Sequence, residues 1–140
     1  MRRFNFNLEK ILQIRKFKEE EAKIVLGQAI SVLNSIENRI REAAIKHHNA
    51  AKNRFHNPQD MVSYDLYILR LEQEAQMLAE QAAQQEIIVE EKRALYLEAQ
   101  KDLKAMEKLK EKQKKDHRKE MLNLQMNEID DLTSARQFRR

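Results

Sequence analysis

The chain has 140 residues with one Gly, one Pro and no Cys, and 36% of its residues are charged. So few turn formers exclude a compact globule of many short elements, and zero Cys excludes disulfides and thiolate-bound metals. The formal net charge of +4 hides alternating blocks: residues 1–57 carry +6, 58–103 carry −6, 104–119 carry +5 and 120–140 carry −1. A basic first third followed by an acidic middle suggests two segments lying against each other.

The N-terminus, MRRFNFNLEK, has two Arg but no apolar segment behind them, so no secretory signal is expected there. No apolar run approaches the roughly 20 residues of a membrane span. The expectation is a soluble, cytoplasmic, nearly all-helical chain.

The first periodic segment reads Leu8, Leu12, Arg15, Glu19, Ala22, Leu26, Ala29, Leu33, Ile36, Ile40, Ala43, His47, Ala50. Its spacing alternates four and three, the heptad seam of a helix supercoiled with a partner. The only stretch with stop signals is NRFHNPQD. Asn57 reads as an N-cap before Pro58 at the first helical position, with Asp60 in the favourable first turn. Pro58 also disfavours helical conformation at Asn57. Helix one is therefore expected over about residues 5–54 and the turn over about 55–58.

A second seam follows at Met61, Tyr64, Ile68, Leu71, Ala75, Leu78, Ala82, Gln85, Val89, Lys92, Tyr96, Ala99, Leu103, Met106. Beyond Met106 the same frame gives Lys110, Gln113, His117 and Glu120, so the seam is expected to stop there. An apolar set resumes out of phase at Leu122, Met126 and Ile129. Helix two is expected over about 59–132, with a tail over about 133–140. Two long seams joined by a short turn predict an all-α antiparallel coiled-coil hairpin in a single domain, helix two overhanging at its C-terminal end. A register in which facing residue numbers add to 111 sets Glu19 against Lys92 and Arg15 against Tyr96. Sliding by one heptad, to 118, would strand those seam charges, so 111 is preferred. At about 1.5 Å per residue helix one is on the order of 75 Å long and helix two about 110 Å. In that register KLKEKQKKDHRKE, residues 108–120, begins where the partner helix runs out.

Little in the sequence supports catalysis. Gly27 stands alone, so there is no phosphate-binding glycine loop, and His47, His48, His56 and His117 lack metal-ligand spacing. No cofactor is implied. The basic run has interleaved acids, with attractive pairs such as Glu111/Lys115 and Lys112/Asp116. No aromatic lies between Tyr96 and Phe138 to stack on bases. It reads as a protein-facing basic helix, a solvated surface, or an arm for nucleic acid or anionic lipid. Ile24, Ile45, Leu66 and Ile87 fall on the outer faces of the seams. Scattered exposed apolar residues are ordinary, yet Ile45, Leu66, Tyr67 and Leu69 cluster towards the hairpin tip, as docking surfaces do.

The opening FNFNLEKILQIRKFKEEEAK (4–23), the middle YDLYILRLE (64–72) and the late AMEKLKEKQ (105–113) together resemble the FliJ family of flagellar type III export proteins, in order, spacing and total length. That resemblance implies a non-enzymatic cytoplasmic coiled coil similar to the stalk subunit of rotary ATP synthases. It implies insertion of the end carrying both termini into the hexameric export ATPase FliI, and contact of the hairpin region with the export gate protein FlhA. FliH and export chaperones are further implied partners, nucleic acid is not, and association with the inner membrane would run only through partners. Carried over by position, Tyr67 and Leu71, with Lys46 and Glu74 nearby and Ile45 and Leu66 on the outer face, are the gate-contact candidates. Lys46 and Ala50 depart from the family, which can carry aromatics there. Phe4, Phe6, Lys108, Lys110, Lys112, Lys114, Lys115, Arg118 and Lys119 are the ATPase-contact candidates. The alternative function is a generic coiled-coil scaffold whose basic tail binds nucleic acid or anionic membrane.

Overall fold

The computed structural model describes residues 3–52 and 58–138. Two helices account for most of them: α1, Glu9–Lys52, and α2, Pro58–Phe138. The protein is an all-α helical hairpin whose second helix is the longer. Strong helix formers fill both elements, so local propensity and seam agree. Pro58 is the first residue of α2, where its fixed φ suits a helix and its missing N–H costs nothing. The expected cap Asn57 and most of the expected turn lie outside the described residues.

Helix α1 begins later than the sequence pattern suggested. Residues 3–6 have no regular structure and residues 7 and 8 form a turn. Asn5 and Asn7 explain the delay, because their side chains compete for backbone groups and favour turns over helix interiors. The Glu9 N–H donates to the Phe6 carbonyl at 3.1 Å and the Leu12 N–H to the Leu8 carbonyl at 2.9 Å, closing the first turn. At the other end α2 runs past residue 132 to Phe138. Neither Gly nor Pro follows to stop it, and the Thr133 hydroxyl donates back to the Ile129 carbonyl at 2.8 Å.

The chain divides into two compact units. Unit one joins Met1–Glu19 to Glu98–Arg140, and unit two is Glu20–Leu97. In unit two the helices are antiparallel: the Gln85 side-chain amide donates to the Ala29 carbonyl at 3.0 Å, and His47 lies 3.9 Å from the Glu72 carboxylate. Burial follows the expected seams. Ala29, Ala43, Leu71, Leu78 and Val89 are buried, and Ala22, Leu26, Leu33, Ile36, Ile40, Tyr64, Ile68, Ala82 and Gln85 are half-buried. The seam positions His47, Met61 and Ala75 are exposed instead.

In unit one the polarity is the same. The Arg15 guanidinium donates to the Asp102 carbonyl at 3.1 Å, and the Lys110 ammonium reaches Glu9 at 2.9 Å. Phe6, Leu12 and Met106 form a buried cluster, with Phe4, Leu8, Leu103 and Leu109 packed against it. Burial along α2 continues past Met106 at Lys110, Gln113 and His117, because the non-helical N-terminal segment covers them. The Phe4 ring lies 5.6 Å from the His117 ring, tilted by 52°. Through the turn at residues 7 and 8 the chain from Glu9 back to Phe4 thus reaches from Lys110 to His117 on α2. The expectation that the basic run has no partner from Lys110 onward is corrected to that extent. Past His117, among the described residues, only Met121 is half-buried, and residues 122–137 are exposed.

The expected register is displaced as well. Partner numbers add to 114 for Ala29 and Gln85, 117 for Arg15 and Asp102, and 119 for Glu9 and Lys110. Long side chains lean towards their own helix N-terminus, which raises such sums in an antiparallel pair. The lean accounts for part of the excess over 111, which is smaller at Gln85 in unit two than at Lys110 in unit one. The preferred register rested on pairing Glu19 with Lys92, and both are only half-buried. An unpartnered charge costs little there, so apolar fit sets the register instead.

Candidate partner-binding surfaces

In unit two, small residues on the seam leave room beside it. Lys46, Asn49, Ala50, Tyr64 and Tyr67 line a groove of about 370 Å³. The small side chain of Ala50 leaves that space open beside the two tyrosines. Lys46 also borders a second groove of about 290 Å³ that it shares with Glu74, Arg39, Glu42, Met77 and Gln81. The structure thus brings Lys46 together with Tyr67 on one groove and with Glu74 on another.

Tyr67 is 42% exposed, and Ile45, Leu66 and Leu69 are exposed outside both grooves. Leu71 is only 5% exposed, so it holds the seam under this surface and is not available to a partner. Sequence reading missed Tyr64 and Asn49. The available signal was the tyrosine pair three residues apart on α2, opposite a run of small α1 residues. A further groove of about 490 Å³ lies over Ala43, Ala44, Ala75 and Ala79, with His47 and Glu72 at its edge.

In unit one, the basic candidates divide into two groups. Lys108, Lys112, Lys114, Lys115, Arg118 and Lys119 are exposed, whereas Lys110 is half-buried and tied to Glu9. The Lys110 ammonium, and after it the Gln13 side-chain amide, hold the Glu9 carboxyl below the usual carboxylate range. Phe6 is buried in the core cluster and is corrected from contact candidate to core residue. Phe4 is half-buried against His117.

A family model described as the flagellar FliJ protein matches residues 4–140. The chain belongs to the FliJ family. FliJ-family proteins are non-enzymatic components of the flagellar export apparatus. The match takes in all the candidate residues of both units. No curated protein and no solved structure matches the chain. Among the described residues no helix is long and apolar enough to cross a membrane.

Proposed function

We propose that this FliJ-family chain couples the cytoplasmic export ATPase to the export gate and helps to deliver chaperone–substrate complexes. The observation that carries this reading is the separation of two unlike surfaces into two units. Unit two offers an exposed tyrosine groove edged by Lys46, and unit one offers a helix face crowded with exposed lysines. An aromatic groove suits a protein partner, so it is assigned to the gate protein FlhA. The basic helix with Phe4 is assigned to the ATPase FliI. FliH and export chaperones are further partners on this reading, and gate contact would hold the protein at the cytoplasmic face of the inner membrane.

Two binding measurements test the assignment. Tyr67→Ala is expected to weaken gate binding by about tenfold or more, the range of an aromatic hot spot. Helicity and melting should not change, since Tyr67 is exposed. A drop in melting temperature with gate affinity retained would reassign Tyr67 to the scaffold. Replacing the six exposed basic residues between Lys108 and Lys119 by Gln, with Lys110 kept for its ion pair, should abolish capture and stimulation of purified export ATPase. Undiminished stimulation would remove the role given to unit one.

A further inference from the structure

Helix α2 carries lysines at 101, 104, 108, 112, 115 and 119. At 100° per residue these six fall within an arc of about 80°, and they run for about 27 Å along the helix. All six are exposed. The arc is centred opposite Leu103, Met106, Lys110, Gln113 and His117, the positions that α1 and the N-terminal segment cover. Among the described residues no part of unit one therefore screens the row. Glu111 and Asp116 lie only at its edges, and the off-row cations Lys110, Lys114 and Arg118 fall on other sides of the helix. Along the row Lys104/Lys108, Lys108/Lys112 and Lys115/Lys119 repel at i, i+4 spacing, offset by the flanking acids in Glu111/Lys115 and Lys112/Asp116. On the same face, the row is followed by exposed Leu122 and Met126.

We infer that this outer face of α2 docks directly on an anionic lipid bilayer, a contact beyond those made through partner proteins and one that shares Lys108, Lys112, Lys115 and Lys119 with the ATPase reading. The row is straight, and a flat surface is the one target that all six ammonium groups can reach together. A B-form duplex completes a turn in about 34 Å, so along 27 Å its phosphates wind away from a straight row. Single strands need stacking aromatics, which this part of the chain lacks. Lysine near an anionic leaflet contributes about 1 kcal/mol per residue, roughly fivefold in partitioning. Leu122 and Met126 then lie at the interface, where an apolar residue beside a basic stripe adds binding.

The test uses the full chain with unilamellar vesicles in 0.1 M salt. Sedimentation with phosphatidylcholine vesicles containing about a third phosphatidylglycerol should recover the protein, and pure phosphatidylcholine should not. The triple variant Lys108→Gln, Lys112→Gln, Lys115→Gln should bind on the order of a hundredfold more weakly. The triple Lys114→Gln, Arg118→Gln, Arg136→Gln removes the same formal charge from exposed positions off the row and should cost less than about tenfold, with both triples still helical by circular dichroism. The chain has no Trp, so Leu122→Trp is a clean reporter whose emission should shift to the blue on anionic vesicles. Equal losses in the two triples would reduce the effect to net charge and overturn the inference. So would binding that ignores lipid charge, an unshifted reporter, or tighter binding to a 30-base-pair duplex than to vesicles. Failure to bind either vesicle would overturn it too, leaving the row to an acidic protein, without bearing on ATPase capture.

Discussion

The seam of unit two is built mainly from alanines and medium aliphatic side chains, whereas unit one is closed by phenylalanine, leucine and methionine around Leu12. Both pair an α1 segment with an α2 segment, so the difference lies in what each partner can offer. Two regular helices can meet through small residues, and grooves are left beside them where alanines face one another. An irregular segment has no repeating face. The six residues before α1 fill their space with large side chains, two of them aromatic, and bond back to α2 through their neighbour Glu9.

The contrast can be broken most directly at the two cores. Leu12, 1% exposed, anchors the unit-one cluster, and Leu12→Ala should cost about 3–4 kcal/mol in chemical denaturation. Leu78→Ala in unit two should cost less, about 2 kcal/mol, since it borders a groove lined by exposed, flexible side chains such as Arg39, Lys46 and Met77, which can settle into the space. A larger cost at Leu78 than at Leu12 would reverse the ranking of the two cores.

A gain is expected at Gly27. A Cβ there would meet nothing within 4 Å, and no glycine has positive φ among the described residues. Gly27→Ala should therefore raise stability by about 1 kcal/mol. A fall in melting temperature would mean that the exposed face of unit two is occupied in solution.

Gln85 sharpens the question of register. Its amide donates to the Ala29 carbonyl from a half-buried site, and a polar side chain at a seam position fixes alignment at some expense of stability. Gln85→Leu should change stability by less than about 1 kcal/mol yet loosen the alignment. Cysteine crosslinking between α1 and α2 of unit two would then yield several registers where the parent yields one.

The smallest effect is the pH response of Glu9. Its folded-state pKa lies below the ordinary carboxylate value. The stabilisation is therefore present above the unfolded pKa and fades as pH falls through the folded one. Glu9 is well solvated, so the change should be slight. It should appear in the ring-to-ring contact of Phe4 with His117, followed by nuclear magnetic resonance, before any loss of helix. Glu9→Gln should show no such acid step.

Much of this architecture was legible in the sequence because a 3–4 spacing of apolar residues has one economical solution. From Ala22 to Ala43 and from Leu78 to Leu103, almost every position the seam marked is buried or half-buried. Register was less legible, since Glu19 and Lys92 were credited with the cost of buried charges while both stay in contact with water. The segment before Glu9 was read as helix because the seam starts at Leu8 and the sequence offers stop signals only at NRFHNPQD, whereas the chain has no regular structure over residues 3–6 and turns at 7 and 8. Of the candidate contacts, Tyr67 and Lys46 line one open groove, while Leu71 and Phe6 are buried and serve the interior. Tyr64 was hidden by its place on the seam, where the small opposite residue Ala50 leaves it half open.

The N-terminal segment is constrained in its own length. The turn at residues 7 and 8, closed by the Glu9 N–H on the Phe6 carbonyl, sets where Phe6 meets Leu12 and Met106 and where Phe4 meets His117. Dropping Asn7 would undo that turn and should pull one of the two rings off its partner. Chain ends ordinarily tolerate insertions and deletions freely, but this one should tolerate them ahead of Phe4 and not between Phe6 and Glu9.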